Sequence, residues 1–385
     1  MKSCYIFSDK NLAYLQEIIA TKFKKVEIFK ITPDENDKKN LINLNEKEFF
    51  LKFIDKFEEL KAKSDFVIVV GCEGFSVFGK SELNLKLARN LNAPVFDENA
   101  SELRALNLNS KLLITDKFDE ILSYQAEIIT PFKFQSLLLK RAKVANKTVV
   151  LPESDDERIL KAAHIVLEKG AANIILLGLE SEISKKVATL GLNLSKAKVL
   201  NPAQNELTDE FAKKIYELRK HKGVDEAKAN ALAKDKIYFA TMLIHEGIAD
   251  ALVSGATMST ADTIRPALQI IKTKPNVSVV SGAFFMALDE EILLFADCAV
   301  TPNPSSDELA SITLSSAQTA SAFGLSPKIA MLSYSTADSG SGADVEFVKE
   351  AAKKASELDV NLKIAAPIQF DAAVDLSVAS KKMPN

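Results

Sequence analysis

The stretch KTVVLPESDDERILKAAHIVLEKGAANIILLG, residues 147–178, decides the fold. It opens on the β-branched, apolar run "KTVVLPE", which reads as a strand. A helix is expected next, because "SDDER" has the form of a capping box in which Ser154 faces Glu157 three residues on. Ile159, Leu160, Ala163, Val166 and Leu167 then recur at helical spacing, and Gly170 stops the helix. "ANIILLG" is the following strand. Two unbroken apolar strands with a helix between them indicate parallel pairing and burial on both faces.

The same alternation continues towards the C-terminus. "ADALVSG", "VSVVSGAFF", "EILLFADCAV" and "KIAMLSYS" read as strands, each followed by polar, Gly- or Pro-containing punctuation. The expected fold class is α/β with doubly wound parallel sheets. Towards the N-terminus, residues 1–130 form a separate small α/β unit with strands "CYIFSD" and "DFVIVVG". Its lysine-rich segment around 34–64 is expected to be a loop and a solvated helix. "FKFQSLLLKRAKVANK", 132–147, reads as a helix leading into the second unit, residues 131–385. After "DFVIVVG", the stretch "GFSVFGKS" (74–81) fits the phosphate-loop spacing GxxxxGKS, although such a loop normally follows a domain's first strand.

Composition bounds the chemistry. The chain has 385 residues, more than one typical domain, with 47% hydrophobic and 26% charged residues, the profile of an ordinary globular protein. Lys and Arg total 49 against 52 acids, so the net charge of -3 supplies no basic field for nucleic acid. No apolar run approaches the roughly 18 residues of a membrane helix. "MKSCYIFSDK" lacks a signal peptide's apolar core, so the expected location is cytoplasmic, with no membrane or nucleic-acid partner. Cys4, Cys72 and Cys298 are far apart, as are His164, His221 and His245, so no metal site or disulfide framework is expected.

The candidate site lies where the strand "ADALVSG" becomes a helix, in "VSGATMSTADTIRPALQIIKT", 253–273. Ligands of doubly wound sheets bind beyond the carboxyl ends of strands, and a helix beginning there suits an anion. Ser254, Thr257, Ser259, Thr260 and Thr263 offer hydroxyls, Gly255 admits close backbone approach, and Arg265 can grip a phosphate through two donors. Pro266 suggests a helix start near Thr263. A similar loop, "TADSGSGADVEFVKEA" (336–351), follows "KIAMLSYS", although Asp338 and Asp344 oppose anion affinity. "YELRKHKG" (216–223) ends a helix with Arg219, Lys220, His221 and Lys222, which complement its dipole. No GxSxG and no cysteine beside a histidine supplies a nucleophile, so direct transfer between bound ligands is expected.

These residues carry a resemblance. "VVLPESDDERILKAA", "YELRKHKG", "YFATMLIHEGIADALVSGATMSTADTIRPALQIIKT", "MLSYSTADSGSGADVEFVKEA" and "IQFDAAV" follow one another as in the phosphate acetyltransferases of the phosphate acetyl/butyryltransferase family, over roughly residues 131–385. The resemblance implies two α/β domains with the active site in their cleft. It implies reversible acetyl transfer between coenzyme A and inorganic phosphate in acetate metabolism. Acetyl-CoA, phosphate and acetyl phosphate would be substrates, with no permanently bound cofactor and no metal, in a homo-oligomer. Arg219 and Arg265 would bind the phosphate or CoA side. Ser254, Gly255, Ser259, Thr260 and Thr263 would line the acetyl phosphate pocket, bordered by Ser333, Ser335 and Thr336.

In the family mechanism an aspartate takes the CoA thiol proton, and the thiolate attacks the acetyl carbonyl in a ternary complex without a covalent enzyme intermediate. The family's serine, arginine and proposed base belong to a "DLSRG" segment and its following aspartate, expected beyond residue 385, so no residue here takes those roles. "IAAPIQFDAA" also departs from the family, with Ala365 and Ala366 where Asp-Gly usually precedes the proline. Residues 1–130 resemble a degenerate nucleotide-hydrolase-like extension, expected to be regulatory or architectural. The alternatives are phosphate butyryl transfer in a roomier pocket, or a non-catalytic fragment that binds acetyl phosphate or CoA.

Overall fold

The computed structural model describes residues 2–74, 79–108, 110–125, 128–275 and 277–383. The chain forms two compact units. In the first, strands β1 (Lys2–Ile6), β2 (Val26–Lys30), β3 (Phe66–Val70), β4 (Val95–Phe96) and β5 (Ile114–Thr115) pair in the order 2-3-1-4-5. Every pairing is parallel. Successive side chains of a strand face opposite ways. Accordingly Tyr5, Val67 and Val69 enter one core with Phe53 and Leu87, while Cys4, Ile6 and Ile68 enter another with Leu15 and Phe118. Both faces are covered, as a doubly wound sheet requires.

The lysine-rich segment differs from expectation. It forms two helices, Glu35–Ile42 and Glu46–Lys61. The second is not a solvated helix, since Phe49, Phe50, Leu51, Phe53, Ile54 and Phe57 are all buried. Its lysines occupy the outer face, and their number masks an apolar stripe at helical spacing. In the phosphate-loop stretch, residues 75–78 lie outside the described residues. Gly79 is the N-cap of the helix Lys80–Leu91, and Lys80 Nζ lies 2.6 Å from Glu73 Oε1.

In the second unit, β6 (Thr148–Leu151), β7 (Asn173–Leu177), β8 (Lys198–Leu200) and β9 (Ala251–Leu252) form a parallel sheet ordered 8-7-6-9. Val150, Ile175 and Leu177 pack against Phe211, Phe239 and Ile270 on one face. Leu151, Ile174 and Leu176 pack against Leu160, Ala163 and Ile183 on the other.

The expected strand "VSVVSGAFF" is not a strand over 277–282, and only its end enters β10 (Ala283–Ala287), while "EILLFADCAV" supplies β11 (Ile292–Ala296). Among the described residues these two pair with each other rather than joining a parallel sheet. Their link, residues 288–291, is far too short for the crossover of a parallel pair. Residues 283–295 belong to the first compact unit, whose other part ends at Leu138. The physical reason is a buried anchor. Glu290 accepts hydrogen bonds from Ser110 Oγ and, at 2.6 Å, from the Lys111 amide, while its carbonyl accepts from Ile129 N. The remaining strands, β12 (Lys328–Leu332) and β13 (Lys363–Ile368), form a parallel pair, with Met331 packed against the helix Ala343–Leu358.

Candidate active site

The site begins with strand register. β6 and β9 are parallel neighbours, Val150 opposite Leu252, and Val253 N donates to Val150 O. The chain leaving β6 through Pro152 and Glu153 therefore emerges beside the chain leaving β9, residues 253–259. Glu153 is 4% exposed and points its carboxylate into that second segment. Its Oε2 accepts from Ser254 Oγ (3.0 Å), Gly255 N (2.8 Å) and Ala256 N (3.0 Å). Its Oε1 accepts from Thr257 N (2.6 Å), Thr257 Oγ1 (2.8 Å) and Met258 N (2.8 Å).

The small donors thus form an anion nest, as their chemistry suggests, and the anion in it is an internal glutamate. Gly255 adopts φ +109°, a conformation side-chain-bearing residues avoid, which lets the chain curl around the carboxylate. Burial pushes the Glu153 carboxyl up, but the amides of Thr257, Ala256 and Met258 outweigh it and hold it at about 2. The sequence offers the Ser254 hydroxyl and close backbone approach at Gly255 to a ligand, whereas here the Ser254 hydroxyl and the Gly255 amide both donate to Glu153.

Two local readings are corrected around this nest. Ser154 is no helix cap: its buried hydroxyl donates to Leu177 O at 2.6 Å, and Asp156 caps the helix Glu157–Glu168 by accepting from Arg158 N. A strong tertiary partner outcompetes the local capping box. The helix after the nest starts at Thr260, not near Thr263, because Ser259 Oγ accepts from Asp262 N and fixes the first turn. Pro266 consequently sits inside this helix, where no amide hydrogen is available for Asp262 O.

On the helix Thr260–Ile270, Thr263 Oγ1 donates to Ser259 O, Thr260 is exposed in the first turn, and Arg265 Nη1 lies 3.2 Å from Asp262 Oδ1. Arg219 ends the helix Thr208–Arg219, and its Nε is buried without a hydrogen-bond partner. Tyr238, on the helix Lys236–His245, ties these elements together. Its hydroxyl donates to Gln269 Oε1 at 2.8 Å, one turn beyond Arg265. Burial pushes the Tyr238 phenol up; the charge of Arg265 pulls it back, Asp235 raises it and Arg219 lowers it. The helices bearing Arg219, Tyr238 and Arg265 pack against one another, a proximity that sequence spacing does not reveal.

The second loop has internal commitments. Ser333 N donates to Ile368 O, and Ser335 and Thr336 are 1% and 2% exposed. Ser335 Oγ lies 3.2 Å from Ser339 Oγ, and Thr336 Oγ1 donates to Gln369 Oε1 while accepting from Gln369 N. Among the described residues, no hydrogen bond joins these hydroxyls to the nest or to Arg265. Nor does any group of three or more His, Cys, Asp or Glu among them stand where it could hold a metal ion. No helix formed by the described residues is long and apolar enough to cross a membrane.

Comparison with known proteins decides the family. Residues 133–385 match the family described as "Phosphate acetyl/butaryl transferase". The chain belongs to that family. It is an acyltransferase, and relatives such as those of Helicobacter pylori, Nitratidesulfovibrio vulgaris and Corynebacterium glutamicum bear the name phosphate acetyltransferase, which gives the butyryl alternative no support. The phosphate acetyltransferase of Helicobacter pylori strain J99 is 44% identical over 375 residues, 88% of this chain and 72% of its own length. That of Nitratidesulfovibrio vulgaris is 44% identical over 264 residues, 69% of this chain but only 38% of its own length. The EutD phosphotransacetylase from Staphylococcus aureus superposes with a TM-score of 0.61 at 43% identity, covering 66% of this chain and 77% of that one.

Sequence reasoning did not single out Glu153 or Tyr238. The available signal for Glu153 was an acid directly after β6, beside a donor-rich loop after another strand. Only the 6-9 neighbour relation makes the two adjacent. Tyr238 carries no such signal.

Proposed function

We propose that this chain transfers an acetyl group reversibly between coenzyme A and inorganic phosphate, with the phosphate oxyanion held by Arg219 and Arg265. The observation that carries the reading is Arg219 Nε, buried without a hydrogen-bond partner on a helix that packs against the helix bearing Arg265. A buried donor left unpaired is costly, and a ligand oxygen would satisfy it. Relatives at 44% identity bearing the acetyltransferase name support the same substrates.

The reaction is direct displacement. The CoA thiolate attacks the acetyl carbonyl, a carbon–sulfur bond forms, the bond from acetyl carbon to phosphate oxygen breaks, and phosphate leaves with its electrons. We assign no residue of this chain to the base. Ser259, Thr260 and Thr263 line the phosphate's approach, while Ser254 and Gly255 shape it through Glu153. Ser333, Ser335 and Thr336 are assigned to the border of the acetyl pocket. CoA is a substrate rather than a resident cofactor. A cytoplasmic homo-oligomer in which the first 130 residues act as a regulatory or architectural extension completes the reading.

The test is phosphate-dependent release of CoA thiol from acetyl-CoA, followed with a thiol reagent. Saturable turnover is expected. CoA binding without turnover would replace the enzyme reading with a non-catalytic binding module.

A further inference from the structure

Glu153 has almost no contact with solvent, and its two oxygens take six donors from one loop. That loop, residues 253–259, is the whole connection between β9 and the helix carrying Arg265. Gly255, Ala256, Thr257 and Met258 belong to neither strand nor helix, so the carboxylate takes the place of a secondary-structure partner for their amides. Arg158 also fastens the loop, donating through Nη2 to Ala256 O at 2.9 Å and to Asp156 Oδ2 at 2.7 Å.

We propose that Glu153 is a positioning residue for acetyl transfer: its carboxylate fills the oxyanion nest of the 254–258 loop, aims the helix that carries Arg265, and leaves the substrate phosphate to the two arginines. This rests on the acetyl-transfer reading above. A tethered carboxylate holds the nest against free phosphate by effective concentration, and its negative charge repels a second anion. Bound phosphate is thereby directed to Arg265 and Arg219, and the loop amides serve the architecture of the site rather than the substrate. The loop also presents the Ser259 cap, so its shape sets where the first turn of the Thr260–Ile270 helix begins.

Chemical rescue tests the proposal on the full chain. Glu153→Ala vacates the nest, and formate is small enough to enter it. The KM for phosphate in the thiol-release assay is expected to rise about tenfold or more, with kcat changed less. Added formate should lower that KM again and raise the variant's Tm, leaving wild type unaffected, while chloride at equal ionic strength does neither. Glu153→Gln keeps the volume and one acceptor, so an intermediate KM that formate cannot improve is expected. A Tm deficit with unchanged KM would reduce Glu153 to a structural tie and overturn the proposal, as would a KM that formate leaves unmoved. If Glu153→Ala does not fold, the glutamine variant decides, and a wild-type KM there sinks the idea. A wild-type chain without thiol release defeats the acetyl-transfer reading instead. The formate-dependent Tm of the alanine variant then still decides whether Glu153 fills the nest.

Discussion

Replacing Arg265 by alanine should separate binding from folding. In the free protein Arg265 and Asp262 are an exposed pair three residues apart on one helix, with side chains 55% and 52% exposed. Such pairs contribute roughly 0.2–0.5 kcal/mol, and alanine's helix propensity offsets part of that. The Tm should therefore hardly move. A guanidinium gripping phosphate makes charge-assisted hydrogen bonds worth about 1.5–3 kcal/mol, equivalent to a tenfold to roughly 150-fold change in affinity. Steady-state thiol-release kinetics of Arg265→Ala should show the KM for phosphate raised within that range. Arg265→Lys should recover only part of it, since a point charge replaces a planar fork. An unchanged KM in an active, folded variant would refute the assignment. A collapsed Tm would show that Arg265 holds the fold rather than the ligand.

The other expectations concern the scaffold. Phe53 is 1% exposed among Phe29 and Phe49 on the lysine-rich segment, so Phe53→Ala should cost about 3–5 kcal/mol in denaturant unfolding. A loss under 1 kcal/mol would mean that the segment is the solvated helix first expected. Asp156→Ala should remove the cap of the Glu157–Glu168 helix at a cost of about 1 kcal/mol. Glu157→Ala should leave stability within about 0.5 kcal/mol, because no capping box exists for it to close. Glu153 is held at about 2 against an ordinary 4.5, so its contribution is complete above pH 4.5 and fades as pH falls towards 2. The stability gap between wild type and Glu153→Gln should accordingly be flat from neutral pH to about 5 and narrow below it. A gap independent of pH would contradict the charge-based account.

Strands and helices were legible wherever periodicity was strong. The parallel pair β6 and β7 and its intervening helix follow directly from apolar runs of strand length and from Ile159, Leu160 and Ala163 at helical spacing. Legibility failed where a tertiary partner outbid a local signal. Ser154 forms a good local capping pattern, yet Leu177 O claims its hydroxyl. β10 and β11 read as buried parallel strands because nothing in their composition announces Glu290 as an anchor to Ser110, Lys111 and Ile129. The donor-rich loop after β9 pointed to an anion through its hydroxyls, but four of the six donors that Glu153 takes there are backbone amides. Its occupant was not legible, because Glu153 lies about a hundred positions earlier and reaches the loop only through strand order. The same holds for Arg219 and Arg265, which share an environment through the packing of three helices.

The central claim is that phosphate belongs to the arginines while Glu153 keeps the nest. A crystal structure of the chain soaked with acetyl phosphate or inorganic phosphate tests this most directly. The account predicts phosphate oxygens within hydrogen-bond reach of Arg219 and Arg265, with the Glu153 carboxylate still accepting from Gly255, Ala256, Thr257 and Met258. Phosphate seated on those four amides with Glu153 displaced would contradict it.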